Sequence, residues 1–182
     1  MEIACPGDCP YLVSAREHPS ATALRRQQDD ISSLVRMVRD LNERQSQLSF
    51  LVLTFLLRYQ APEFQPLLDE DVADATAALA ATYETAARGV IYEHRPRSLP
   101  AERLISALTP ALAEAGQGGG TPFQRDAAVV LRRVETAARA AMAAAPDNRR
   151  AFLDVIGRVI RTPDNDAREP DQTDAAPRVI IP

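Results

Sequence analysis

Apolar residues recur at three- and four-residue spacings from Leu24 to Tyr59. Written as heptads, the a positions are Leu24, Ile31, Val38, Gln45, Val52 and Tyr59, and the d positions are Gln27, Leu34, Leu41, Leu48 and Phe55. Nine of these eleven positions are apolar or aromatic, while the b, c and f positions are mostly polar or charged. A 3.5-residue repeat makes a helix bury a seam against a partner helix. The pattern therefore predicts one long amphipathic helix within residues 23–61, working as an oligomerisation seam. Leu24 to Tyr59 as continuous helix would be about 54 Å long, more than a small domain needs for its own core. A second copy of the chain is the expected partner. Gln45 interrupts the seam at an a position, where a polar residue fixes register and oligomer state at a cost in stability. From Phe50 to Leu57 the helix is apolar on every face and is expected to be enclosed by a helical domain. The run is too short to cross a bilayer, which takes about 20 residues.

The rest of the chain continues the helical reading. Leu68, Val72, Ala75, Leu79, Tyr83, Ala86 and Val90 form one stripe of a helix expected over about residues 67–91, with Asp69, Glu70 and Asp71 in its first turns, where the helix dipole favours acids. A third helix is expected near Ser98, with Pro100 in its first turn and Leu104, Leu108 and Leu112 buried. The glycines between Gly116 and Gly120 read as a flexible connection. A fourth helix is expected over about 123–145, burying Ala127, Val130, Leu131, Val134 and Ala138. A fifth is expected over about 149–160, burying Phe152, Val155, Ile156 and Val159. The fold class is thus all-α: about five helices, with a long coiled-coil-like N-terminal helix packed into a compact bundle. Residues 1–22 form a Cys/Pro loop segment, 62–161 the helical domain and 162–182 a disordered tail.

Composition narrows the classes. The net charge of −4 argues against a general nucleic-acid binder, and the arginines of the long helix alternate with Asp29, Asp30, Asp40 and Glu43 rather than forming a phosphate track. Lysine does not occur, which excludes Schiff-base chemistry and a P-loop lysine. No secretory leader and no membrane span are legible, so a cytoplasmic protein without membrane insertion is the expectation. Residues 162–182 carry five acids and two arginines, a net −3, and end in the apolar Val179-Ile180-Ile181, which reads first as an incidental terminus and, as the alternative, as a docking motif on this or another subunit.

Chemistry has few places to reside. Cys5, Cys9, His18 and His94 are the only cysteines and histidines, and Cys2His2 is an accepted zinc ligand set. Pro6, Gly7 and Pro10 put the two thiols on a tight loop rather than a helix. A structural zinc at these four residues is one expectation; a Cys5–Cys9 disulfide or direct thiol redox chemistry is the alternative. The third reading is inert thiols, with His18 and His94 as ordinary surface or junction residues. The segments Cys5–Leu12 and Tyr92–Leu104 are the most distinctive in the chain. No phosphate loop, nucleophile elbow, HExxH or paired ExxH motif occurs. The combined reading is a non-enzymatic, homo-oligomeric scaffold, adaptor or regulator that meets protein partners through helices.

Overall fold

The computed structural model describes residues 21–61 and 66–160. Among them every regular element is a helix: α1 Ala21–Val38, α2 Glu43–Arg58, α3 Asp69–Ala86, α4 Leu99–Ala115, α5 Gly120–Ala144 and α6 Ala151–Val159. The expected all-α class holds, and one core joins all six helices. Residues 1–20 and 161–182, including Cys5, Cys9, His18 and the acidic tail, lie outside the described residues.

The predicted continuous helix is instead two. Asp40 takes a left-handed backbone (φ 64°), which Asp tolerates better than most residues and which ends a helix. Asn42 then starts α2 with a reciprocal capping box. Gln45 N–H donates to Asn42 Oδ1 (2.9 Å), and Asn42 N–H donates to Gln45 Oε1 (3.2 Å). Gln45 is therefore the third residue of a helix start, and its amide nitrogen also donates to Asp126 Oδ1 on α5 at 2.8 Å. Its polarity is satisfied within its own chain.

α3 and α5 form the central pair. Val72, Ala73, Ala75, Leu79 and Ala80 on one, and Ala127, Ala128, Val130, Leu131, Val134 and Ala138 on the other, are all buried. Their many alanines let the two backbones approach closely. The apolar run of α2 is enclosed as expected through Leu48, Val52, Leu53 and Leu56, although Phe50 faces solvent. α4 buries Leu104, Leu108 and Leu112 and is capped by the Ser98 hydroxyl, which accepts from Ala101 N–H. On α6 the buried set is Phe152, Leu153 and Ile156, whereas Val159 is exposed. No helix among the described residues is long and apolar enough to cross a membrane.

Two turns differ from the sequence reading. α3 ends at Ala86 rather than near residue 91, because Gly89 adopts φ 81° and closes a Schellman turn in which Val90 N–H donates to Thr85 O. Val90 is consequently expelled from the expected stripe, and Ile91 beside it is exposed. The glycine segment after α4 is a tight turn and not a spacer: a Cβ on Gly116 would stand 2.6–2.9 Å from three atoms of the Phe123 ring, which needs that space.

The acids at the start of α3 hold three helix starts together. Asp69 is fully buried; its two oxygens accept from Phe152 N–H (2.8 Å) and Leu153 N–H (3.2 Å) in the first turn of α6. Asp71 accepts from Leu68 N–H and the Ser98 hydroxyl. Asp74 accepts from Arg97 and Ser98 N–H, just ahead of α4. Burial pushes the Asp69 carboxyl above the ordinary aspartate range, opposed by the two amide donors from α6.

Candidate functional site

Of the four residues nominated as metal ligands, His94 alone lies among the described residues. It sits in the extended segment after α3, which runs back along that helix. His94 N–H donates to Thr82 Oγ1 (2.9 Å), and the Thr85 hydroxyl donates to Tyr92 O (3.3 Å). The His94 ring meets the Tyr92 ring edge-on with centroids 4.7 Å apart. Its Nε2 is buried without a hydrogen-bond partner among the described residues. Among the described residues no three His, Cys, Asp or Glu side chains come together as a metal site. The first part of the distinctive Tyr92–Leu104 segment, residues 92–98, is thus a strap on α3 tied at Thr82, Asp74 and Asp71, and the rest is the start of α4.

α1 displays the feature with clearest potential for partner contact. Asp30, Leu34 and Met37, at spacings of four and three, are buried against the body. One residue on, Ile31, Val35 and Val38 repeat the spacing and face outward, Val35 being 54% exposed. Neighbouring positions on a helix differ by about 100°, so these are two separate stripes. The heptad seam read from the sequence therefore divides. Leu34, a d residue, goes inward, while the a residues Ile31 and Val38 go outward.

α1 is held in this orientation by an ion pair invisible in the local sequence. Arg158 on α6 grips Asp30 with two parallel bonds, Nε to Oδ2 at 2.6 Å and a terminal nitrogen to Oδ1 at 3.1 Å. In the sequence Asp30 reads only as one of the acids that alternate with the arginines of the long helix. The signal that could have identified it is its position four residues before Leu34 and seven before Met37, on the inward stripe.

A second surface feature lies between α3 and α5. Arg88, Arg125, Arg132 and Arg133 line a groove of about 750 Å³ with Glu84, over a floor that includes Ala128 and Val129. Arg132 donates to both oxygens of Glu84 (2.8 and 3.0 Å) and to Glu135 (2.9 Å). The bonds from Arg132 hold the Glu84 carboxyl below its usual range. Arg125 and Arg133 are exposed and enter no ion pair among the described residues.

No protein-family model, curated protein or solved structure matches this chain.

Proposed function

We propose that the chain is a non-enzymatic scaffold or adaptor that self-associates through α1. The observation that carries this reading is the outward stripe of Ile31, Val35 and Val38 beside a separate inward stripe that already anchors the helix. An anchored helix with a second apolar stripe is shaped for helix pairing, and two such stripes from two copies make a self-complementary, isologous contact. The flanking Gln28, Asp29, Ser32 and Arg36 are exposed and supply a polar rim.

Light scattering on the full chain across a concentration series tests it. The wild-type chain should run as a dimer. Val35→Asp should shift it towards monomer with helix content retained, since the position is exposed and an Asp in a helix costs only about 0.5 kcal/mol. A wild-type monomer at all concentrations, or an undisturbed dimer in the variant, refutes the pairing.

The Nε2 of His94, buried without a partner among the described residues, supports a second element, a zinc clamp made by Cys5, Cys9 and His18 with His94. Purified without an affinity tag, the chain should contain about one zinc per copy by elemental analysis, lost in Cys5→Ser/Cys9→Ser and in His94→Ala. Zinc lost only in the cysteine variant removes His94 from the ligand set. No zinc in the wild type removes the clamp.

A further inference from the structure

The groove between α3 and α5 is electropositive in a chain that is acidic overall. Four arginines against one glutamate leave its lining at a net +3. Arg132 is engaged by Glu84 and Glu135, which fixes its guanidinium as part of the wall. Arg88 is exposed and lies in the field of Glu84, whereas Arg125 and Arg133 project with no acidic partner among the described residues. Val129, 40% exposed between these charges, gives the groove an apolar element. Arginine clusters over apolar ground recognise acidic peptide segments, the guanidinium forks pairing with carboxylates.

The same chain carries a segment of matching chemistry. Residues 162–182 contain Asp164, Asp166, Glu169, Asp171 and Asp174 with two arginines, a net −3, followed by Val179, Ile180 and Ile181. Its charge is equal and opposite to that of the groove lining, and its apolar end offers a side-chain cluster for the floor. The reach is ample: twenty-one residues span up to about 70 Å. The described body, at its length, has a radius of gyration of about 14 Å. We propose that the groove between α3 and α5 is the docking site for the chain's own acidic C-terminal segment, residues 162–182.

Tethering sets the size of the effect. A segment joined to the body only two residues after Ile160 has an effective concentration of about 1 mM. If the isolated contact has a Kd of about 0.1 mM, the tethered segment occupies the groove about ten times out of eleven. The same segment added in trans must compete with it, and its apparent affinity falls about tenfold.

The test uses a fluorescent peptide of residues 162–182 and the full chain in four forms, read by anisotropy. The peptide should bind weakly to the wild type. It should bind about tenfold more tightly to a full chain bearing Asp164→Asn, Asp166→Asn, Glu169→Gln, Asp171→Asn and Asp174→Asn, whose own segment no longer competes. Adding Arg125→Glu and Arg133→Glu to that chain should abolish binding, and Arg125→Gln with Arg133→Gln should weaken it, with circular dichroism confirming unchanged helix content. Binding to the neutralised chain should weaken as salt is raised. Equal binding to the wild-type and neutralised chains would mean that the groove serves a foreign acidic segment, and overturns the proposal. Absence of binding to the neutralised chain, or binding that survives both arginine replacements, overturns it as well.

Discussion

Asp69 should determine how stability depends on pH. It is fully buried, and its carboxylate is the acceptor for the first turn of α6, 83 and 84 residues away in sequence. Asp69→Ala strands the N–H groups of Phe152 and Leu153. Two hydrogen bonds to a charged acceptor contribute about 1.5 kcal/mol each, and removing the desolvated carboxylate returns part of that, so a net loss of about 2 kcal/mol is expected. Asp69→Asn keeps an oxygen acceptor and the shape, and should cost about 1 kcal/mol at neutral pH. Burial holds the native carboxyl above its ordinary range. As pH rises, the unfolded chain therefore ionises this group first while the native chain still holds the proton. Between the two titrations the native state binds more protons, and the group's contribution to stability falls with rising pH. Urea unfolding of the wild type and Asp69→Asn, followed by far-ultraviolet circular dichroism because the chain has no tryptophan, isolates this term as a difference. The wild type should lose ground to the variant from the unfolded aspartate range upward, then level off. A difference that is flat in pH, or that moves towards the wild type, would show that the α6 amides outweigh burial and refute the argument.

Two further substitutions probe the supports of the sites. Arg158→Ala leaves the Asp30 side chain, 9% exposed, without a counter-charge and should cost about 2–3 kcal/mol. Asp30→Ala instead leaves Arg158, 43% exposed, to water and should cost about 1 kcal/mol or less. Urea unfolding with hydrogen exchange across α1 should show Asp30→Ala partly rescuing Arg158→Ala; an equal cost for the two single variants would refute the asymmetry. Gly116→Ala drives a methyl into the Phe123 ring and should cost about 1–3 kcal/mol. Gly118→Ala, with open space around it but φ 73°, should cost about 1 kcal/mol from backbone strain alone. Matching thermal shifts would mean the ring swings aside.

The helix faces were legible because burial follows spacing whatever the partner. Leu104, Leu108 and Leu112, and on α5 Ala127, Val130, Leu131, Val134 and Ala138, need only their three- and four-residue intervals to mark one side of a cylinder. Ser98 was legible as a helix start for the same local reason. The break after Val38 was not found, because apolar periodicity passes through Leu41 as if nothing happened. The local clue was Asn42 with Gln45 three residues on, a capping box that a heptad reading converts into a polar a position. The acids of α3 were legible as first-turn residues, but their partners at Phe152, Leu153 and Ser98 are brought by the fold, and nothing near residue 69 encodes them.

These losses share a cause that bears on function. Asp30, Asp69, Asp71 and Asp74 are spent on contacts within the chain, which is why acids that look like surface decoration are buried or bonded. Among the described residues the outward side chains of Ile31, Val35 and Val38 have no such use, and neither do Arg125 and Arg133. A body stitched together by its aspartates has already settled where each helix sits, so neither the stripe nor the arginines is needed to hold α1 or α5 in place. The substitutions at Val35 and at the two arginines should therefore alter association or peptide binding. Measured where the contact is already absent, Val35→Asp on dilute monomer and the two arginine replacements on the chain with the neutralised segment, they should leave the unfolding midpoint nearly unmoved. In the associated wild type they should lower it only by the binding energy lost. That separation distinguishes an interaction surface from an exposed part of the core.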